Sequence, residues 1–148
     1  MEIKFSNIDE DDLVVCSELY VATFREPPWN EEWDMEDAFE RLSDFLAYPK
    51  SLAIKATLNE KIGGFLCGKI QQSNGSTYYD LEEICVCSTL QRQGVGKSLI
   101  GKLKEMLREK GVSKIYLITQ RDSGPSNFYT ALGFSEDQSV IVMGKNIR

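Results

Sequence analysis

The chain contains no histidine. That absence removes the commonest general base, the usual Ser-His and Cys-His catalytic pairs, and every zinc site that needs imidazole. Cysteine is scarce too, with Cys16, Cys67, Cys85 and Cys87 the only four. The Cys85-x-Cys87 spacing does not match the paired Cys-x-x-Cys of structural zinc. Buried free thiols are therefore expected, and no metal. Long hydrophobic runs are missing: charges break each one well before the 18 residues of a membrane span. The opening Met-Glu-Ile-Lys lacks an apolar signal core, so a cytoplasmic location with no membrane partner is the expectation. Positive charge is in deficit, with a net charge of −6, and no basic face offers itself to nucleic acid. Repeats, low-complexity tracts and long linkers are absent as well. At 148 residues, one domain spanning 1–148 is expected to bury its own core.

What is present reads as alternating strands and helices. Residues 2–8 suggest a first strand. Asp9 to Asp12 supply caps for a helix whose apolar face uses Leu13, Cys16, Tyr20 and Phe24, and Pro27-Pro28 stops it. A second helix from Asp34 to Tyr48 places Met35, Phe39, Leu42, Phe45 and Leu46 at helical spacing. Ser51 to Leu58 and Ile62 to Gln71 read as a hairpin around Asn59-Glu60-Lys61, and Asn74-Gly75 turns the chain into Thr77 to Cys87. A helix from Lys97 to Lys110 is expected to bury Val95, Leu99, Leu103, Met106 and Leu107, with Gly111 as its C-terminal cap. Lys114 to Thr119 has the continuous apolar character of a parallel strand buried on both faces. Residues 81–119 then form a right-handed β-α-β crossover. Pro125 starts a short helix through Leu132, and Phe134 and Val140 to Met143 are predicted to end the chain in strand.

The most informative segment is Gln91-Arg92-Gln93-Gly94-Val95-Gly96, between the strand ending near Cys87 and the helix beginning near Lys97. A strand that breaks into a glycine loop and then a helix aims several N–H groups, and the positive end of the helix dipole, at one anion. Gly94-Val95-Gly96-Lys97-Ser98 also echoes the end of a nucleotide-binding P-loop, but that motif needs glycine where Gln91 stands.

The loop instead fits the pattern Gln/Arg-x-x-Gly-x-Gly/Ala, and the chain resembles the GNAT superfamily of acyl-CoA-dependent N-acetyltransferases. Val86 stands five residues before Gln91, and Phe128-Tyr129-Thr130-Ala131-Leu132-Gly133-Phe134 is similar to the late Phe-Tyr-x-x-x-Gly-Phe segment of that family. Glu26-Pro27-Pro28-Trp29-Asn30-Glu31 resembles a subgroup labelled aminoglycoside 6′-N-acetyltransferase-like. The resemblance implies a mixed α/β GNAT fold. Its sheet would be twisted and largely antiparallel, with a central parallel crossover whose strands splay into a slot, and N-terminal helices would cover one face. It also implies acetyl-CoA as co-substrate and an amine acceptor, either a small molecule or a peptide. A homodimer is compatible with it, and so is a non-catalytic acyl-CoA-binding domain.

Carried over residue by residue, the loop amides of Gln91, Arg92, Gln93, Gly94, Val95 and Gly96 would hold the coenzyme pyrophosphate, with Ser98 adding a hydroxyl and the Arg92 guanidinium suited to phosphate oxygens. Main-chain atoms of Cys85, Val86 and Cys87 would lie along the pantetheine arm. Tyr129 occupies the position of the tyrosine that protonates the departing thiolate. Relatives commonly carry Asn seven residues before that tyrosine; Asp122 stands there, which would either lose the contact or move it to Asn127. Without histidine, a carboxylate is the expected base. Strand alternation puts Asp80 and Glu82 on one face and Glu83 on the other, and a bulge would change that parity. Similarity of Glu83-Ile84-Cys85-Val86 to the subgroup favours Glu83, with Glu82 the competing assignment. Trp29, Asn30 and Glu31 fall where family members cover the acceptor, and an aromatic beside carboxylates suits a cationic amine.

Overall fold

The computed structural model describes residues 2–148, which divide into two compact units, one ending at Ile118 and one beginning at Thr119. In the first unit the strands are β1 (Lys4–Asn7), β2 (Ser51–Leu58), β3 (Lys61–Ser73), β4 (Ser76–Val86) and β5 (Ile115–Tyr116). They form one sheet in the order β1-β2-β3-β4-β5, antiparallel as far as β4 and parallel between β4 and β5. Its helices are α1 (Leu13–Arg25), α2 (Met35–Ala47) and α3 (Val95–Glu109). The second unit contains α4 (Gly124–Ala131). A mixed α/β architecture with a largely antiparallel sheet, as expected, is what forms.

Local chemistry explains the boundaries. Asp34 caps α2 by accepting the Asp37 amide at 2.8 Å, and Glu36 and Asp37 add negative charge to the first turn. At the far end of α3, the Val112 amide reaches back to the Leu107 carbonyl at 2.9 Å and the Gly111 amide to Arg108 at 3.1 Å, a Schellman closure that buries Val112. The second unit repeats the device: Phe134 N–H donates to Tyr129 and Gly133 N–H to Thr130, both at 3.0 Å. The Tyr129 and Phe134 rings meet at 5.5 Å, so the Tyr-x-x-x-Gly-Phe spacing has a structural cause as a helix stop.

Paired strand residues sort the two faces of the sheet. Phe65, Cys67 and Cys85 join Leu13, Cys16, Tyr20, Phe24, Leu42 and Phe45 in one core, beneath α1 and α2. Alternation turns Gly64 and Leu66 the other way, and a methyl group on Gly64 would lie 3.4 Å from Leu99 of α3. Thus α1 and α2 cover one face and α3 the other.

Three expectations need correction. The buried stripe of α2 is Ala38, Leu42 and Phe45, whereas Met35 and Phe39 are exposed. The helix is rotated so that its smallest residue meets its neighbours. The parallel strand covers only Ile115–Tyr116, half-buried and at the edge of the sheet, instead of a six-residue strand buried on both faces. Past Tyr116 no strand occurs among the described residues, and Val140 to Met143 are exposed. Their β-branched composition fits a pleated, half-buried surface, and strand propensity without a pairing partner does not make a strand.

Candidate active site

Two features of β4 create the site. The first is where its neighbour leaves it. Strand β5 pairs only with Tyr79 and Asp80, so its pairing along β4 stops before Leu81–Val86. Below that parting the strands are locked: Tyr79 is fully buried and donates its hydroxyl to the Leu52 carbonyl at 2.7 Å. The second is a bulge. Cys67 pairs with Glu83 and Gly68 with Leu81, which leaves Glu82 as the extra residue. Gly68 is required here, because a Cβ would fall 2.0 Å from the Asp80 carbonyl. Simple alternation is broken at this point, and Glu83 turns to the α1–α2 side. Glu82 acts on that side too, its field helping to push up the Tyr48 hydroxyl and the Cys67 thiol after burial, the larger cause in both. The bulge therefore breaks the alternation on which the two glutamates were expected to occupy opposite faces.

The Glu83 side chain is 15% exposed. Its Oε2 accepts the Tyr20 hydroxyl at 2.7 Å and Arg41 Nε at 3.1 Å. Burial raises its pKa above the ordinary 4.5, against the lowering pull of Tyr20 and Arg41. Burial also raises the Tyr20 hydroxyl, with the Glu83 charge next, so Tyr20 stays a proton donor to Glu83. For Arg41, burial is the largest cause and lowers the pKa, yet Glu83 and Tyr20 together outweigh it and the net shift is upward. The Glu83 carboxylate is more basic than an exposed one.

Arg41 is 40% exposed and also lies over the Trp33 ring at 5.6 Å and the Phe45 ring at 4.9 Å. It lines an open cavity of about 330 Å³ together with Trp33, Phe45, Tyr48 and the carboxylates of Asp37, Glu40 and Asp44. None of those three carboxylates has an ion-pair partner among the described residues.

The loop after β4 is built by its own side chains. Gln91 Nε2 donates to the Val86 carbonyl and Gln93 Nε2 to the Thr89 carbonyl, each at 3.0 Å. The Gln91 bond accounts for the five-residue spacing from Val86. Both amide side chains are thus spent inside the loop. Gly94 is the N-cap of α3 at φ 87°, a left-handed conformation that disfavours any Cβ, and no side chain caps the helix. Its opening amides are left to whatever anion arrives. Arg92 is exposed, and Ser98, half-buried, donates its own amide to the Gly94 carbonyl at 2.9 Å. Coenzyme pyrophosphate fits this donor set.

Cys16, Cys67 and Cys85 are buried, and burial pushes the Cys16 and Cys85 thiols up to about 12. Cys87 is half-buried, with Sγ 3.3 Å from Thr89 Oγ1. Among the described residues no cluster of three or more acidic or cysteine side chains is placed to hold a metal ion. No described helix is long and apolar enough to cross a membrane.

The remaining sequence candidates scatter. Trp29 packs edge-on against Phe24 with centroids 5.0 Å apart, as part of the wall of the core. Asn30 donates to the Pro28 carbonyl at 3.4 Å. Glu31 Oε1 accepts Trp33 Nε1 at 2.8 Å and so orients the aromatic over Arg41. Tyr129 and Asn127 belong to α4 in the second unit, Tyr129 half-buried against Phe128 and Phe134, and Asn127 exposed. Sequence reasoning missed Arg41, Tyr20 as a polar partner, and Trp33. Arg41 reads as an ordinary exposed helix charge, and only the tertiary fold sets it against Glu83.

The model of the acetyltransferase (GNAT) family matches residues 16–134. Among solved structures, a possible acetyltransferase from Clostridium difficile 630 superposes with a TM-score of 0.84 at 15% identity, over 100% of both chains. An aminoglycoside acetyltransferase from an uncultured soil metagenomic sample, in complex with sisomicin, gives 0.74 at 21% identity over 99% of this chain and 97% of the other. AAC(6′)-Iy, in complex with the bisubstrate analog CoA-S-monomethyl-acetylneamine, gives 0.75 at 21% over 99% of each.

Proposed function

The chain belongs to the GNAT family of acetyl-CoA-dependent acetyltransferases, and from that premise we propose that it transfers acetyl directly to a primary amine of a cationic acceptor. The observation that carries the proposal is Glu83, a half-buried carboxylate of raised pKa on β4, gripped by Tyr20 and Arg41 just past the point where β5 leaves the strand. The opening amides of α3, with Gly94, hold pyrophosphate, and the freed edge of β4 at Cys85 and Val86, continuing to Cys87, runs beside the pantetheine arm. Bound there, acetyl-CoA supplies an activated acyl carbon and a thiolate leaving group. Glu83 takes the proton that keeps the amine from attacking. Tyr129 returns a proton to the departing sulfur.

The cavity lined by Arg41, the ion-pair partner of Glu83, favours cationic acceptors, because its aromatic rings and its three carboxylates without ion-pair partners among the described residues attract positive charge. Two structural neighbours are complexed with sisomicin and with an acetylneamine analog, which is consistent with a small polyamine-like acceptor. Of Trp29, Asn30 and Glu31, Glu31 acts on this cavity, through Trp33. The reaction takes place in the cytoplasm in this reading.

The test is thiol release from acetyl-CoA against a panel of sisomicin, spermidine, an alanine-initiated peptide and ethanolamine. Turnover with at least one amine is expected. Tight acetyl-CoA binding without release for any of them would indicate a non-catalytic acyl-CoA-binding domain.

A further inference from the structure

Both donors to Glu83 fall on the same oxygen. Tyr20 Oη lies 2.7 Å and Arg41 Nε 3.1 Å from Oε2. Oε1 accepts no hydrogen bond from any described residue. One carboxylate thus has an anchored oxygen and an unengaged one, and the anchors come from two separate helices, α1 and α2. We infer that Glu83 exchanges protons through Oε1, with Tyr20 and Arg41 as positioning residues that grip Oε2 and fix the direction of the unengaged oxygen. This rests on the reading that Glu83 is the base.

The division of labour follows from valence. An ionised carboxylate has about four acceptor sites, two on each oxygen. Two charge-assisted donors on Oε2 occupy that oxygen and fix the plane of the group. Tyr20 is itself held rigidly, its ring 4.7 Å from Phe24 and 5.1 Å from Trp33. In the transfer, an N–H bond of the acceptor ammonium breaks as an O–H bond forms at Oε1. The nitrogen keeps the electron pair and bonds the acyl carbon. The C–S pair leaves with sulfur, which takes the Tyr129 hydroxyl proton, and the second N–H proton replaces it on Tyr129. The proton on Oε1 returns to solvent, so Glu83 ends as it began.

Other charged or titratable groups face Glu83. Glu31 in the α1–α2 connection opposes its ionisation, and Cys67 on β3 and Cys85 on β4 both register its charge. Neither thiol nor Glu31 donates a hydrogen bond to it, so only Tyr20 and Arg41 hold it in the ionised form by contact.

The experiment compares Tyr20→Phe, Arg41→Gln and Arg41→Lys with Glu83→Gln. Tyr20→Phe removes one hydroxyl and keeps the ring packing. Two readouts apply: the pH profile of kcat/KM with the panel amine of highest thiol release, and the 13C titration of the Glu83 carboxyl, which needs no acceptor. Both donors favour the ionised form, so losing either moves the Glu83 titration and the acid limb of the profile to higher pH. In Tyr20→Phe and Arg41→Gln, kcat falls about ten- to a hundredfold, the size of a base contribution, with KM for acetyl-CoA unchanged. Arg41→Lys restores the position of the limb but not full kcat, because a point charge does not fix the plane. An unmoved titration in both Tyr20→Phe and Arg41→Gln overturns the inference. If Glu83→Gln keeps the acid limb, the base assignment itself fails, a result distinct from the other.

Discussion

Replacing Gly94 tests whether the opening of α3 holds an anion, and the structure separates strain from charge. Gly94 lies at φ 87°, and a Cβ there would meet nothing within 4 Å. A side chain therefore causes no clash and costs only the left-handed backbone penalty, about 1–2 kcal/mol. At about 2–4 °C per kcal/mol for a chain of this size, both Gly94→Gln and Gly94→Glu should melt a few degrees lower, Gly94→Glu by slightly less because its carboxylate meets the positive end of α3. The two differ in one charge. A carboxylate about 6 Å from a phosphate opposes it by about 0.7 kcal/mol at the permittivity of water and about 2.8 kcal/mol at an effective value near 20. Acetyl-CoA should accordingly bind Gly94→Glu about three- to a hundredfold more weakly than Gly94→Gln. Calorimetric titration measures the difference, and thermal melts confirm that both variants fold. Raising salt from 0.1 M towards 1 M shortens the screening length from about 10 to about 3 Å and should close most of the gap. Equal affinities of the two variants at low salt would remove pyrophosphate from this loop.

Tyr129→Phe preserves the ring contact with Phe134 that closes α4, so the variant should still fold while kcat falls about ten- to a hundredfold. Full turnover would reduce Tyr129 to a helix-stop aromatic. Tyr79→Phe strands the buried Leu52 carbonyl and should cost about 1–3 kcal/mol in denaturant unfolding; an unchanged midpoint would mean that water reaches that carbonyl. Burial raises the Glu83 pKa above 4.5 in the folded state. The stability this group contributes is therefore complete below its unfolded pKa and is lost as pH rises through its folded one. Glu83→Gln lacks that loss, so its melting temperature relative to the parent should climb between pH 4 and pH 8. A difference that stays flat, or moves the other way, refutes the direction of the shift.

Much of the architecture was written in local sequence. Caps at Asp34 and Gly111, the turns at Asn59 and Asn74-Gly75, and the apolar periodicity of α3 act over a few residues, where backbone hydrogen-bonding demands decide the outcome. The glycine loop was legible for the same reason: a left-handed N-cap and an uncapped helix start are properties of Gly94 and its immediate neighbours. The Val86–Gln91 spacing is a hydrogen bond between residues five apart.

Other features depended on partners distant in the chain. The length of β5 and the fate of Val140 to Met143 turn on pairing, which propensity does not encode. The face occupied by Glu83 turns on one unpaired residue at Glu82 opposite a close approach of Gly68. Its chemistry turns on Tyr20 and Arg41, 63 and 42 residues away in sequence. Sequence alone led to the expectation of a carboxylate base in place of the missing histidine. Tertiary structure supports Glu83 for that role, because partial burial and two donors on a single oxygen raise and direct this carboxylate, and those are properties of the space between α1, α2 and the bulged strand.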